Sequence, residues 1–135
     1  MAPRVVLFVC THNAGRSQMA AGYLTHFGGG SMLAESAGTA PADALNPAVV
    51  AAMLEEGIDL RDEEPRLLTS EALNEADLVI TLGVDVAALA PGSHYADWDF
   101  PDPAGSRLDT VRPIRAAIKQ AVLRLLDELT APAAA

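Results

Sequence analysis

Short apolar runs alternate along the chain with longer segments in which apolar residues recur at helical spacing. Two of the runs are continuously apolar and rich in β-branched residues, which is typical of strands buried on both faces of a parallel sheet. The pattern predicts four strands, at residues 5–9, 32–36, 78–82 and 94–98. A turn at residues 37–39 is expected to follow the second strand.

The helical segments between these strands carry recognisable start and stop residues. The first helix is predicted to begin at Ser17 and to end at the glycines of residues 28–30, since glycine readily adopts positive φ. Its apolar residues are Met19, Ala20, Tyr23, Leu24 and Phe27. Asn46 followed by Pro47 fits the N-cap and first position of a second helix, which ends at Gly57. Its predicted buried face consists of Val50, Met53 and Leu54.

Two further helices are predicted in the second half of the chain. Thr69 or Ser70 caps a short one that runs to about Ala76. The last helix has the clearest apolar repeat, formed by Leu108, Val111, Ile114, Ile118, Val122, Leu125 and Leu129. Pro113 is expected in its first turn, where the missing N–H costs little. Residues 131–135 are expected to fray.

This alternation of strands and helices predicts an α/β fold built on a parallel sheet. A length of 135 residues, without repeats or a linker, favours one domain over residues 1–135. Ligands of such sheets bind beyond the carboxyl ends of the strands. The residues that follow the first strand are therefore the first candidates for a functional site.

Composition and charge argue against several classes of function. Half of the residues are hydrophobic, which argues against a disordered chain. The formal charge is −9, from 18 acidic and 9 basic residues, so broad attraction to nucleic acid or to an anionic membrane is not expected. The sequence has neither a signal peptide nor the roughly 20 apolar residues of a membrane span, so we expect a cytoplasmic protein.

The most informative stretch joins the first strand to the first helix, and Cys10 and Arg16 stand at its ends with five residues between them. A loop that leads into a helix N-terminus turns backbone N–H groups inward, and the helix dipole adds positive potential, so it fits a tetrahedral oxyanion. Arg16 adds a permanently charged fork. The same field favours a lowered pKa for Cys10, which makes this thiol the predicted nucleophile.

Other residues of the loop are predicted to support the oxyanion or the thiol. Ser17 is placed to donate a hydrogen bond to the Cys10 sulfur. Asn13 tolerates left-handed backbone, and its amide can tie the loop together. Gly15 lets the backbone approach the ligand closely. The predicted oxyanion-binding set is Thr11, His12, Asn13, Ala14, Gly15, Arg16 and Ser17.

Less specific interpretations of this stretch compete with the catalytic one. A lone cysteine after an apolar strand is often only a small buried hydrophobic residue, but Arg16 and the following helix argue against that here. His12 is either a catalytic base or, as we expect, an exposed residue that contributes its backbone N–H. The GxxxxGK[ST] motif of nucleotide triphosphate sites is absent. The carboxylates around Asp99 lack clustered histidines, so no metal site is predicted.

A displacement at the thiolate expels an oxygen, which requires a proton. Asp102 is the predicted donor because it lies between Pro101 and Pro103 and follows Trp98 and Phe100. These apolar neighbours are expected to raise its pKa. On local sequence alone, a simple turn explains this Asp-Pro pair as well as a catalytic role does. The anion-binding loop elsewhere in the chain favours the catalytic interpretation.

Residues 9–17, Val-Cys-Thr-His-Asn-Ala-Gly-Arg-Ser, resemble the anion-binding loop of the low-molecular-weight tyrosine phosphatase superfamily. The continuation Ser-Gln-Met-Ala is similar to its arsenate reductase branch. Further similar segments lie at residues 36–39, 56–59, 76–82 and 98–104. The resemblance implies a three-layer αβα sandwich around a parallel sheet of about four strands. It also implies Cys10 as nucleophile, Arg16 as oxyanion ligand and Asp102 as general acid.

The chain departs from the thioredoxin-linked arsenate reductases of that superfamily at four positions. Gly83 and Ala90 match the positions of two further cysteines, Gly15 matches a cysteine often found in the anion loop, and Ala21 matches a glutamate that holds potassium in some members. Because Cys10 is the only cysteine, the chain cannot relay a disulfide internally.

The resemblance to actinobacterial single-cysteine members therefore implies an external low-molecular-weight thiol as co-substrate and no tightly bound cofactor. Mycothiol with mycoredoxin is favoured, while glutathione or bacillithiol with a glutaredoxin-like partner satisfies the same chemistry. The expected products are an arseno-thiol adduct and then arsenite.

Two rival functions remain open. The first is a phosphatase acting on phosphotyrosine or small phosphoesters, in which water replaces the external thiol. Phosphatases of the superfamily commonly carry aromatic residues after the Asp-Pro pair, whereas Ala104 and Gly105 stand here, which favours a small inorganic substrate. The second rival is an oxyanion or redox sensor with an acidic partner surface at residues 55–56 and 62–64.

Overall fold

The computed structural model describes residues 4–86 and 95–130 of the chain. Its elements are β1 (Arg4–Cys10), α1 (Arg16–Gly28), β2 (Met32–Gly38), α2 (Pro47–Glu55), α3 (Ser70–Glu75), β3 (Leu78–Thr81), β4 (Tyr95–Asp97) and α4 (Leu108–Thr130). A 3₁₀ turn links α1 to β2. Every predicted strand and helix is confirmed, whereas the predictions for Ala90, His94 and residues 131–135 lie outside the described residues.

The four strands form one parallel sheet in the order β2-β1-β3-β4, and side chains of β1 alternate between its two faces. On one face Val6 and Phe8 belong to a core cluster with residues of α1, α2 and α4. On the other face Leu7 and Val9 pack in a second cluster with Leu73 of α3. The sheet thus lies between two helical layers, and the predicted αβα sandwich is confirmed.

The carboxyl ends of the strands meet at one edge of the sheet. In the register of the sheet, Cys10 pairs with Gly38, Val9 with Thr81, and Thr81 with Asp97. The segments that follow β2, β1, β3 and β4 therefore begin in that order along one edge, and the segment after β3 lies between the loops after β1 and β4. This topology is what brings Cys10 and Asp102 together across most of the sequence.

The predicted turn at residues 37–39 is wrong, because β2 stays paired with β1 as far as Gly38. A Cβ atom at Gly38 would lie 2.7 Å from the carbonyl oxygen of Thr11 and 2.9 Å from the backbone nitrogen of Asn13. Gly38 is therefore required for a close approach of β2 to the loop after β1, and not for a turn.

Two predictions about the helices also need correction. The buried residues of α2 are Val49, Ala52 and Met53, while Leu54 is 46% exposed. Because α2 is apolar on nearly every side, its packing on α4 decides which residues are buried, and that face lies one residue earlier than predicted. Pro113 lies inside α4, in its second turn, because that helix already begins at Leu108. Its ring is exposed, away from the core.

No helix in residues 4–86 and 95–130 combines the length and the apolar character needed to cross a bilayer.

Candidate active site

Cys10 ends β1 and is buried, with 3% of its surface exposed. Its Sγ lies 2.9 Å from the Oγ of Ser17 in the first turn of α1. The predicted contact between this hydroxyl and the sulfur is therefore present.

The side-chain amide of Asn13 determines which way the Ser17 hydroxyl points. Its Oδ1 accepts a hydrogen bond from the backbone N–H of Arg66 at 2.8 Å, and a backbone N–H is only a donor, so the amide orientation is unambiguous. Its Nδ2 consequently donates to Ser17 Oγ at 2.7 Å. The hydroxyl, which accepts there, keeps its proton available for the Cys10 sulfur. Asn13 itself has φ of 51°, the left-handed conformation that the sequence predicts.

Gln18 is a supporting residue that sequence reasoning missed. Its side chain is buried, and its Nε2 donates to the Asn13 carbonyl oxygen at 3.2 Å, to Asn13 Oδ1 at 3.1 Å and to the Glu64 carbonyl oxygen at 3.3 Å. Gln18 and Arg66 thereby fasten the anion-binding loop to the segment before α3. The arginine uses its backbone, while its guanidinium lies at the surface 3.7 Å from Glu63. Arg61 likewise pairs at the surface, with Asp59 at 2.8 Å.

The backbone of the loop is arranged as expected for an oxyanion cradle. The carbonyl oxygens of Cys10, Thr11, His12 and Ala14 accept hydrogen bonds from the backbone of residues 39–46, at 2.8–3.2 Å. With the carbonyls turned outward, the N–H groups of residues 12–15 donate to no other described residue. Together with the free N–H groups at the start of α1, they form a concentration of unpaired donors.

Arg16 is buried at the start of α1 and is held in a fixed position. Its Nη1 donates to the carbonyl oxygen of Phe100 at 3.1 Å, and its Nη2 lies 3.7 Å from Asp102 Oδ2. On another side, a Cβ atom at Gly83 would lie 3.0 Å from Nη1, and Gly83 has φ of +80°. The guanidinium is thus packed between the segment after β3 and the loop after β4.

Asp102 reaches the site, but its surroundings differ from the prediction. The carboxylate is 47% exposed, faces Arg16 and accepts a hydrogen bond from the Ala104 N–H at 2.9 Å. The expected apolar enclosure is absent because Trp98 packs against Phe8 and Phe100, at ring separations of 5.8 and 6.1 Å.

These residues converge on a cavity of about 30 Å³. Its lining residues are Cys10, His12, Ala14, Gly15, Arg16, Asn46, Asp102, Pro103 and Ala104. Of the predicted oxyanion-binding set, Thr11, Asn13 and Ser17 do not line it, and the last two are buried beneath it as supports. His12 is exposed at the cavity, in keeping with the expectation for its side chain.

The structure gives Gly15 a second reason to be glycine, in addition to the predicted close approach of the backbone to the ligand. A Cβ atom there would lie 2.8 Å from the Cγ of Pro103, so the absence of a side chain lets the loop after β4 pack onto the anion-binding loop. Its φ of −144° does not itself require glycine.

Asn46 is the second residue that sequence reasoning missed as part of the site. Its predicted capping role is confirmed, since Oδ1 accepts from the Ala48 N–H at 2.9 Å. In addition, its Nδ2 donates to the Pro103 carbonyl oxygen at 2.8 Å. Its backbone N–H donates to the Ala14 carbonyl oxygen at 2.9 Å. The Asn-Pro pair signals the cap, but nothing local signals the second partner.

The acidic residues 55–56, considered above as a partner surface, are engaged within the protein. Hydrogen bonds from Arg112 and Arg115 lower the pKa of Glu55 to about 2. A hydrogen bond from Lys119 lowers the pKa of Glu56. These pairs join α2 to α4. No group of three histidine, cysteine or carboxylate side chains in the described parts of the chain is arranged to hold a metal.

Comparison with known proteins agrees with this geometry. The family profile for low molecular weight phosphotyrosine protein phosphatase matches residues 5–134. A putative arsenate reductase of Halobacterium salinarum is 39% identical over 127 residues, covering 90% of this chain and 89% of the relative. A thioredoxin-dependent arsenate reductase of Corynebacterium glutamicum has a TM-score of 0.82 at 36% identity. This similarity covers 94% of the present chain, which spans only 62% of that longer one.

A second solved structure, an arsenate reductase in the phosphate binding state, has a TM-score of 0.83 at 29% identity and covers 94% of this chain and 99% of its own. Profile, sequence and fold thus agree with the resemblance drawn from residues 9–17. The chain belongs to the low-molecular-weight phosphotyrosine protein phosphatase family.

Proposed function

We propose that the protein is an arsenate reductase that transfers arsenate from its loop to an external thiol. The observation that carries this proposal is the small cavity in which Cys10, Arg16 and Asp102 meet. At about 30 Å³ it is two to three times the 10–15 Å³ that a water needs, and no phenylalanine, tyrosine or tryptophan is among the described residues that line it. It suits an inorganic oxyanion better than an aryl ester. The relatives named as arsenate reductases support the same substrate.

The first chemical step follows from the contacts around the sulfur. The unpaired N–H groups of residues 12–15 and the Arg16 guanidinium bind the arsenate oxygens. The Cys10 thiolate, stabilised by the Ser17 hydroxyl, attacks arsenic and forms an S–As bond. The As–O bond opposite the sulfur, which joins arsenic to a hydroxyl oxygen of the hydrogen arsenate ion, breaks, and the single proton from Asp102 lets that hydroxyl leave as water.

The second step requires a thiol from outside the chain, since Cys10 is the only cysteine. We propose mycothiol, whose sulfur attacks arsenic and releases Cys10. A redoxin thiolate then attacks the sulfur of the arseno-thiol adduct. The S–As electron pair passes to arsenic, which leaves as arsenite, and a mixed disulfide remains. We assign this reaction to the cytoplasm, where such thiols stay reduced.

Thioredoxin is the competing reductant, because one similar structure is thioredoxin-dependent. The environment of Gly83 argues against an internal relay through that position in this chain. Its positive φ disfavours any other residue, and a side chain there would press on Arg16.

Arsenite formation from arsenate by the purified protein tests the proposal. Parallel reactions contain mycothiol with mycoredoxin, glutathione with glutaredoxin, or thioredoxin with its reductase, and Cys10→Ser is the control. We expect turnover in a low-molecular-weight thiol system and none with thioredoxin alone. Turnover with thioredoxin alone contradicts the proposed reductant, and no arsenite in any reaction contradicts the proposed substrate.

A phosphatase is the second candidate, and the family assignment favours it. The same loop would form a phosphocysteine that water hydrolyses. Thiol-independent turnover of 4-nitrophenyl phosphate, at a rate exceeding that of arsenate reduction, would support this candidate over the first. A slow phosphatase rate alone does not, because both reactions use the same thiolate and the same cradle.

A further inference from the structure

Besides the 3.7 Å approach of Asp102 to Arg16, the loop that carries Asp102 is held at three points, two on the anion-binding loop and one on Asn46 at the start of α2. The Phe100 carbonyl oxygen accepts from Arg16 Nη1 at 3.1 Å. The ring of Pro103 is buried against Gly15, where a Cβ atom would be only 2.8 Å from its Cγ. The third point is the Pro103 carbonyl oxygen, which accepts from Asn46 Nδ2 at 2.8 Å and also from the Ser106 N–H at 2.9 Å.

The orientation of the Asn46 amide leaves no ambiguity about this third contact. Its Oδ1 faces the backbone N–H of Ala48, which is only a donor, so Nδ2 is the end that faces the Pro103 carbonyl oxygen. The backbone N–H of the same residue binds Ala14 in the anion-binding loop. Asn46 thus joins the loop that holds the nucleophile, the loop that holds the acid and the start of α2.

Asp102 depends on such an anchor because its own contacts are weak or local. Its carboxylate is half exposed, lies 3.7 Å from Arg16 and otherwise accepts from Ala104, two residues along the same loop. The position of Asp102 is therefore tied to the rest of the fold mainly through its neighbour Pro103, whose ring packs on Gly15 and whose carbonyl oxygen binds Asn46.

We propose that Asn46 is a positioning residue for Asp102 and aligns the acid with the oxygen that leaves arsenic. This inference rests on the proposed function. A small displacement of a reacting group lowers a rate steeply. Asn46 borders the cavity, but its amide is engaged with Pro103 and Ala48, so we expect the Cys10 loop and Arg16 to bind the oxyanion without it. The expected signature is a slower reaction with unchanged oxyanion affinity.

Asn46→Ser is the informative variant. Serine is as good an N-cap as asparagine, so α2 keeps its cap, but its side chain is too short to cap the helix and reach Pro103 together. We expect kcat/KM for arsenate to fall about tenfold. Phosphate affinity, measured by protection of Cys10 from iodoacetamide, should stay within about twofold. Thr69→Ala is the matched control, because it removes the α3 cap on the other side of the sheet and should leave both values unchanged.

A double-mutant cycle with Asp102→Asn decides whether Asn46 acts through the acid. In the Asp102→Asn protein, Asn46→Ser should cause no further loss. A second tenfold loss there, a normal rate for Asn46→Ser alone, or a tenfold loss of phosphate affinity would each overturn the proposal. So would an unchanged rate for Asp102→Asn.

A measurement without turnover separates this inference from the proposed function. Exchange of the Ala104 and Ser106 amide protons, followed by NMR, should be faster in Asn46→Ser than in the parent protein. Unchanged exchange means that Asn46 does not hold the loop, whatever the substrate. If the parent protein makes no arsenite but the exchange accelerates, the proposed substrate fails and the anchoring role of Asn46 stands.

Discussion

Substitution of Asn13 should cost both stability and thiol reactivity, because this side chain supports the anion-binding loop from inside the protein. Asn13→Ala removes three hydrogen bonds, of which those to Ser17 and Gln18 are buried and the one to the backbone of Arg66 is partly buried. At about 0.5–1.5 kcal/mol each, their loss amounts to about 3 kcal/mol. The φ of 51° adds about 1 kcal/mol for a residue less tolerant of left-handed backbone than asparagine.

A loss of about 4 kcal/mol in the free energy of unfolding is a large part of the 5–15 kcal/mol typical of a domain. For a chain of this size it corresponds to a fall in Tm of roughly 10–20 °C. Urea unfolding followed by circular dichroism measures the difference. Asn13→Gly separates the two contributions, because glycine accepts the backbone conformation but makes none of the side-chain hydrogen bonds. Its free energy of unfolding should be about 1 kcal/mol higher than that of Asn13→Ala, because the positive φ costs glycine nothing.

Asn13→Asp isolates the effect on the thiol. Aspartate keeps the acceptor for Arg66, but its second oxygen faces the Ser17 hydroxyl and takes the proton that otherwise points to the Cys10 sulfur. We expect alkylation of Cys10 by iodoacetamide at neutral pH to slow several-fold. Equal alkylation rates in Asn13→Asp and the parent protein, or a loss of stability below about 1 kcal/mol in Asn13→Ala, would refute the described role of this amide.

Three further changes test other parts of the structure. Gly15→Ala should lower arsenate turnover at least tenfold, measured as arsenite formed, because its methyl group displaces Pro103; normal turnover would contradict that contact. Arg16→Lys should weaken protection of Cys10 by phosphate at least tenfold, since lysine lacks the bidentate fork; unchanged protection would mean that the backbone alone binds the anion. Glu55→Gln should lower Tm near pH 6 and have progressively less effect as the pH falls from its ordinary pKa near 4.5 toward 2. The sign follows because a lowered pKa stabilises the fold only while the carboxylate is ionised, and a constant difference in Tm over that range would contradict it.

The loop and its helix could be predicted because their signals are local. A continuous apolar strand, a glycine-containing turn and the start of a helix follow one another within residues 5–20, and the predicted nucleophile and oxyanion-binding residues lie in the same stretch. The order of the strands in the sheet determines only which other loops lie next to this one. The buried face of α2 could not be predicted because this helix is apolar on nearly every side, so its contact with α4 decides which residues are covered.

The supporting contacts of the site could not be predicted for a different reason. Asn46 meets Pro103 and Asn13 meets Arg66 across more than 50 positions of the sequence, and both partners use backbone groups that every residue has. The environment of Asp102 was mispredicted because apolar neighbours in sequence need not be neighbours in space. Trp98 turns into the core, while the carboxylate turns toward Arg16.

Mass spectrometry of the thiol product, in a reaction that contains arsenate and mycothiol but no redoxin, decides whether the arseno group passes from Cys10 to an external thiol. We expect an arseno-mycothiol adduct that accumulates over many turnovers of the protein and is absent with Cys10→Ser. An adduct formed equally well by Cys10→Ser, or its absence from a protein that still makes arsenite with thioredoxin, would contradict transfer from Cys10 to an external thiol.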